Sequence, residues 1–418
     1  MGYPKLMRVK QAFEAPVLNN PAGEVTSQIT RLRLEAKITP GRVVAVACSS
    51  RGITNYHAIV RATLDSLKKL GLKPFIIPAM GSHGSSTAEG QEKVLAHSGI
   101  SESTMDVPVR SSLDVVQVGE TEDQIPVFMD KLASHADSVV LINRVKAHTD
   151  FEGDIESGLM KMMAIGLGKQ KGAATCHQAI FTHSYPRVIA TVARTILQTE
   201  KILFGVAIVE NAYSQTAQIA VLRSSELEEK ERALLKEAKR LAARLPFDHA
   251  DILIIDEMGK DISGTGFDTK VVGRVYQPLL SSEPTTPRVK RILVSDLTEG
   301  SDGNADGVGL ADFITRRLAD KIDMRALYAN AIAGLEPERA KIPLTLSNDR
   351  DALELAIKSV GMIPPQSLKI IRIKNTMSLG EADISEGYKE DLSGRDDLTI
   401  VSEAKQMSFN AEGNLPPF

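Results

Sequence analysis

The sequence predicts an α/β protein of two domains, each built on a mostly parallel sheet, and three observations carry that reading. The chain has 418 residues, more than a typical single core accommodates. From residue 43 short apolar runs alternate with amphipathic stretches, the rhythm of βαβ units. The same alternation restarts near residue 250, beyond one long, charged helix.

Taken in order, VVAVAC (43 to 48) is apolar throughout, as a strand covered on both faces of a parallel sheet requires. HAIVRATLDSLKKLG (57 to 71) follows as a helix, FIIPAM (75 to 80) as a strand and TAEGQEKVLAHSG (87 to 99) as a helix. DSVVLIN (137 to 143) is the next strand, and an apolar helix follows in SGLMKMMAIGLGKQKGAATCH (157 to 177). SELEEKERALLKEAKRLAARL (225 to 245) is the clearest helix, with Ser225 and Glu228 in capping-box spacing and Pro246 closing it. It reads as a connector, which puts the domain boundary near residue 247 and gives domains of 1–247 and 248–418. In the second, ADILIID (250 to 256), RILVSDL (291 to 297) and LKIIRIK (368 to 374) read as strands; helices are expected near ADFITRRLADKI and DRDALELAIKSVG.

Composition narrows the function. With 50 basic and 53 acidic residues, a net charge of −3 and no long block of one sign, neither nucleic acid nor an anionic membrane is the expected partner. There is no Trp and only 4% aromatic residues, which disfavours stacking on bases or sugars. Two cysteines make no disulfide framework, the stretch MGYPKLMRVK has no apolar core of signal-peptide length, so no signal peptide is expected, and no run approaches a membrane span. The expectation is a soluble cytoplasmic protein with a small-molecule ligand.

In open α/β sheets ligands gather beyond the carboxyl ends of the strands. Three loops there are chemically loaded: SSRG (49 to 52), GSHG (81 to 84) and NRVKAH (143 to 148). His83 sits between glycines that let backbone approach a ligand, and His148 shares its loop with Arg144 and Lys146. Histidine suits both proton transfer and metal binding near neutral pH. Lys161 stands among Leu159, Met160, Met162, Met163 and Ile165, where lost hydration favours a neutral, nucleophilic amine; alternatively its stem snorkels to the surface. His177 follows at the far end of the same segment beside Cys176, which reads as a small packing residue more readily than as a nucleophile. In the second half, KDISGTGFDTKVVGR (260 to 274) combines glycines with Lys270 and Arg274, a composition suited to an anion. DGNADG (302 to 307) imitates a calcium loop, but Phe313 occupies the position that needs a glutamate.

The order and spacing of these residues resemble the nickel-dependent lactate racemase family, whose members carry a nickel-pincer nucleotide. Arg51 in SSRG, His83 in GSHG and His148 in KAH match that pattern, followed by Lys161 and by His177 sixteen residues further on. The resemblance implies that Lys161 tethers the cofactor covalently as a thioamide and that His177 binds its nickel. It further implies that His83 and His148 serve as the two bases of a 2-hydroxy acid racemase or epimerase. Arg51, with Lys270 or Arg274 from the other domain, would hold the substrate carboxylate, the cofactor would lie in the cleft between the domains, and cofactor-synthesis proteins would be partners. One departure is the interval from His148 to Lys161, which is longer and more acidic than in the family, with Glu152, Asp154 and Glu156. These carboxylates suggest a substrate with a polar, hydroxylated chain. Two other functional classes fit the residues: a zinc-dependent hydrolase or lyase using His83, His148 and His177, and a non-catalytic organic-anion binding protein.

Overall fold

The computed structural model describes residues 2–418 apart from 37, 51, 82, 85, 86, 150 and 276–283. The chain divides into two units: Ala15–Ala242, and a second made of Met1–Glu14 together with Ala243–Phe418. The N-terminal fourteen residues join the C-terminal unit. The reason is strand β1 (Lys5–Gln11), which among the described residues pairs as a strand with segments that begin at Glu381.

In the Ala15–Ala242 unit, strands β2 (Val43–Cys48), β3 (Lys73–Pro78), β6 (Ser138–Arg144), β7 (Ile202–Glu210) and β8 (Thr216–Arg223) form one sheet. Strands β4 (Val115–Glu120) and β5 (Pro126–Asp130) form a separate antiparallel pair. The order in the sheet is β3-β2-β6-β7-β8, parallel except for β8. Alternate residues feed two cores: Ala45, Ala47, Val139 and Leu141 on one face, Val44, Val46, Val140 and Ile142 on the other. That double burial is why these strands read as unbroken apolar runs. From β2 the chain first moves outward to β3 and then returns to the opposite side of β2 as β6. The carboxyl ends of β2 and β6 therefore flank a topological switch point, where such sheets form ligand crevices.

The charged helix spans Leu227–Leu241 and is entered through a 3₁₀ turn at Ser224–Glu226, so the Ser225 capping box is not formed and the helix ends before Pro246. It is no connector. Leu227, Leu234, Leu235, Ala238 and Leu241 pack into the same core as Leu159 and Met160.

The second unit holds β9 (His249–Met258), β10 (Arg288–Leu297), β11 (Phe313–Thr315), β12 (Leu344–Leu346), β13 (Ile370–Ile373), β14 (Glu381–Ser385), β15 (Leu398–Ile400) and β16 (Lys405–Gln406). With β1 they form one sheet of order β12-β11-β10-β9-β13-β14-β1-β15, in which β16 also pairs with β1. It is parallel from β12 to β13 and antiparallel beyond, so the α/β class holds with an antiparallel extension. The helix expected over ADFITRRLADKI is instead β11 followed by the short helix Arg316–Ala319, because Phe313 and Ile314 are buried beside β10.

Candidate active site

A pocket opens at the switch point of the Ala15–Ala242 unit. Its wall includes Ser49 beyond β2, Met80 and His83 beyond β3, Asn143, Arg144, Lys146 and His148 at and beyond β6, and Lys161, Met162 and Ile165 from the apolar segment. Two histidines and three cationic side chains line it, and no carboxylate does among the described lining residues. Such a wall favours an anionic ligand.

Backbone chemistry fixes the two strand ends. The Tyr56 hydroxyl accepts from the Ser49 amide at 2.7 Å and donates to the Ile142 carbonyl at 3.1 Å, tying the end of β2 to β6. Asn143 Nδ2 donates to the Gly158 carbonyl at 2.8 Å, joining β6 to the start of the Lys161 segment. Arg144 is ion-paired with Glu210, whose other oxygen accepts from the Thr54 amide at 2.8 Å.

Lys161 closes a short α-helical turn, Leu159–Lys161, which continues as a π-helical turn, Met162–Gly166, and then as the helix Lys169–His183. A π turn inside a helix is rare and concentrates at functional sites. The turn starts on a buried carboxylate: Glu231, from the helix Leu227–Leu241, accepts from the amides of Leu159 at 2.5 Å and Met160 at 3.1 Å. These are donors that a helix start leaves without an intrahelical partner. Burial pushes the Glu231 carboxyl up to about 7, and the two amide bonds only partly offset that. Gly158 is required here, since a Cβ would fall 2.5 Å from the Glu231 side chain. Gly166 is a second such position, where a Cβ would fall 2.6 Å from the Ala79 carbonyl oxygen at the end of β3.

The Lys161 amine meets His148 Nε2 directly. The His148 ring stacks on Phe151, with centroids 4.4 Å apart, and Phe151 stacks on Tyr185 at 4.6 Å. The His148 amide donates to Glu156 Oε2 at 2.6 Å, Gly153 donates to the other Glu156 oxygen at 3.0 Å, and Lys239 pairs with the same carboxylate at 2.6 Å. The excursion carrying this stretch is closed at its base by Lys146 and Ser157, which pair backbone to backbone at 2.9 and 3.2 Å. Glu156 is therefore an internal brace. Glu152 and Asp154 face Lys239 at 3.6 Å and Arg232 at 3.9 Å, and none of the three lines the pocket. Where they were expected to shape the substrate's chain, they face the helix Leu227–Leu241.

His83 presents Nδ1 to the Met80 carbonyl at 2.5 Å; since a carbonyl only accepts, the proton is on Nδ1 and Nε2 is the basic nitrogen. His177 lies on the helix Lys169–His183 and is not among the residues lining the pocket. It is one turn beyond Ala173, hence on the helix face that meets Gly81. Among the described residues no three of His, Cys, Asp or Glu converge on a possible metal position, so the three-histidine zinc site is not assembled. Cys176 is buried with its thiol pushed up to about 12 by burial, which leaves it a packing residue. Arg51 lies outside the described residues. In the second unit, Lys270 sits on the short helix Thr269–Val272. Arg274 is committed to Asp312 at 2.6 Å and to the Leu310 carbonyl at 2.7 Å, a structural role that leaves it unsuited to the substrate contact expected of it. No helix among the described residues is long and apolar enough to cross a membrane.

Fold and site define an α/β protein with a cationic pocket at the carboxyl ends of its strands. Residues 10–188 match the family model of the lactate racemase N-terminal domain. The fold is similar to a crystal structure of a Thermotoga maritima protein, with a TM-score of 0.54 and 14% identity over 88% of this chain and 99% of that one. It is also similar to the lactate racemase apoprotein from Thermoanaerobacterium thermosaccharolyticum, with a TM-score of 0.50 and 14% identity over 92% of this chain and 91% of that one. At such identities the likeness is one of fold. The comparison with curated proteins returns no match.

Proposed function

We propose that this protein is an isomerase that inverts the C2 centre of a 2-hydroxy acid. The observation that carries the reading is the meeting of Lys161 with His148 inside a pocket rich in cationic groups, within the stretch that matches the family.

A nickel-pincer nucleotide fits these residues in one respect that can be tested on geometry: Lys161 offers its amine at the pocket wall, flanked by the buried Met160 and Met162. Lys161 would hold the group as a thioamide and His177 would bind its nickel. A metal held mainly by an organic ligand needs a single protein donor, which is compatible with the lack of a three-ligand cluster among the described residues. When bound, the group supplies a reversible acceptor for the C2 hydride.

The remaining work falls to the chain. His148 Nε2, which meets Lys161 at the pocket wall, would accept the substrate hydroxyl proton. His83, with Nε2 likewise basic, serves the opposite enantiomer. Lys146 would attract the carboxylate, with Arg51 as a further carboxylate-binding group. The aromatic stack on His148 keeps its ring oriented and excludes water from one face.

The test is to produce the protein in cells that make the cofactor, determine the mass of the peptide containing Lys161, and follow the optical purity of chiral 2-hydroxy acids. Conversion in both directions with a modified Lys161 supports the proposal. An organic anion bound tightly without inversion by loaded protein contradicts it and favours a binding protein.

A further inference from the structure

We propose that Lys169, Asp130 and Gln91 form a buried strut that aims His83 into the pocket, making Lys169 a positioning residue. The inference rests on His83 being one of the two bases.

Lys169 is wholly buried and adopts a left-handed backbone, φ 53°, at the break between the π turn and the helix Lys169–His183. Non-glycine residues take that conformation at a cost, so the surroundings must impose it. Its ammonium pairs with the equally buried Asp130 at 3.1 Å, donates to Gln91 Oε1 at 3.2 Å and bonds the Pro78 carbonyl at the end of β3. Gln91 in turn donates to the carbonyls of Gly81 at 2.8 Å and His83 at 3.4 Å. Asp130 reaches the other functional segment, its amide donating to the Leu167 carbonyl at 2.6 Å just past the π turn. The strut thus grips both the strand end that presents His83 and the segment that presents Lys161.

A fully buried ion pair is a poor choice for stability alone, since well-packed apolar residues often do as well. What it does supply is direction. The Lys169 and Gln91 side chains bond three backbone carbonyls of the β3 end and its loop, and the His83 ring depends on that loop for its own bond to the Met80 carbonyl.

The test is read on the ligand-free full chain by ¹⁵N NMR of the His83 ring, so it does not depend on racemase activity. The wild-type ring is expected as the Nδ1–H tautomer. In the double variant Lys169→Met, Asp130→Asn, which removes the charges together, and in Gln91→Leu, which leaves the ion pair intact, the ring is expected to shift toward Nε2–H. Amide exchange at Gly81 and His83 should rise about tenfold or more. Gln91→Leu keeps the test decisive if the double variant does not fold. Retention of the wild-type tautomer in a folded variant of either kind overturns the proposal. A shifted tautomer with C2 inversion by the loaded protein unchanged counts against His83 as a base and not against the strut.

Discussion

His148 and Lys161, thirteen residues apart in sequence, meet through Nε2 and Nζ, with the histidine ring fixed by stacking on Phe151. The pair defines where a tethered group and a proton acceptor would share one substrate. Replacing either base should therefore be expensive: His148→Asn and His83→Asn are each expected to lower C2 inversion about 10²- to 10⁴-fold. Single-turnover rates on each enantiomer check this, and an activity loss under threefold in both variants would remove the histidines from the chemistry.

Glu231 should set a pH-dependent component of stability. Its carboxyl is pushed up to about 7 by burial, above the ordinary glutamate value of 4.5. A raised carboxyl stabilises the fold fully below the unfolded value and loses that contribution as pH rises toward the folded value. The stability of wild type relative to Glu231→Gln is thus expected to fall between about pH 4.5 and 7, by something on the order of 3 kcal/mol, at about 1.4 kcal/mol per tenfold change in proton affinity. Denaturant melts of both proteins across that range measure it; a constant difference would contradict the assignment. Glu231→Ala should cost about 1–3 kcal/mol near pH 4.5, by stranding the Leu159 and Met160 amides, and less as pH rises toward 7.

The acidic stretch makes a contrasting prediction. Glu152→Ala and Asp154→Ala remove exposed, loosely paired charges and should change stability by less than about 0.5 kcal/mol, with substrate preference unaltered. Glu156→Ala takes away the acceptor shared by the His148 amide, the Gly153 amide and Lys239, and should destabilise by about 2–4 kcal/mol. Thermal melts and a substrate panel separate the two outcomes, and a changed substrate preference in Asp154→Ala would restore these residues to the pocket.

Arg274 is expected to matter for stability and not for substrate. Its guanidinium is held by Asp312 and by the Leu310 and Lys290 carbonyls, so Arg274→Ala should cost about 1–3 kcal/mol. The substrate KM should stay within a factor of two; a tenfold rise in KM would show a direct role.

Much of this was legible in the sequence where local pattern carries the information. The runs 43 to 48 and 137 to 143 read as strands because both sheet faces are buried, and His83, His148 and Lys161 were singled out by the loops and the apolar segment that hold them. Contacts between distant segments were not legible. Among the described residues β1 pairs only with strands near the other end of the chain, and nothing within Lys5–Gln11 encodes those partners. Glu231 stands in a run of charges and looks like any solvated glutamate until the helix face is known, although its spacing from Leu227, Leu234 and Leu235 places it on the apolar side. Nor does the local sequence around Lys169 show its burial, because its partner Asp130 lies 39 residues away. Arg274 was read as a substrate contact from its glycine-rich basic loop and the family resemblance, and its ion pair with Asp312, remote in sequence, was not legible.

The central claim is C2 inversion by a Lys161-tethered group, and chiral chromatography of a 2-hydroxy acid panel incubated with cofactor-loaded protein tests it most directly. Either pure enantiomer of at least one acid should relax to the same mixture, and Lys161→Ala protein from the same host should leave both unchanged. Protein whose Lys161 peptide carries the added mass, yet which leaves every enantiomer in the panel pure, would contradict the account.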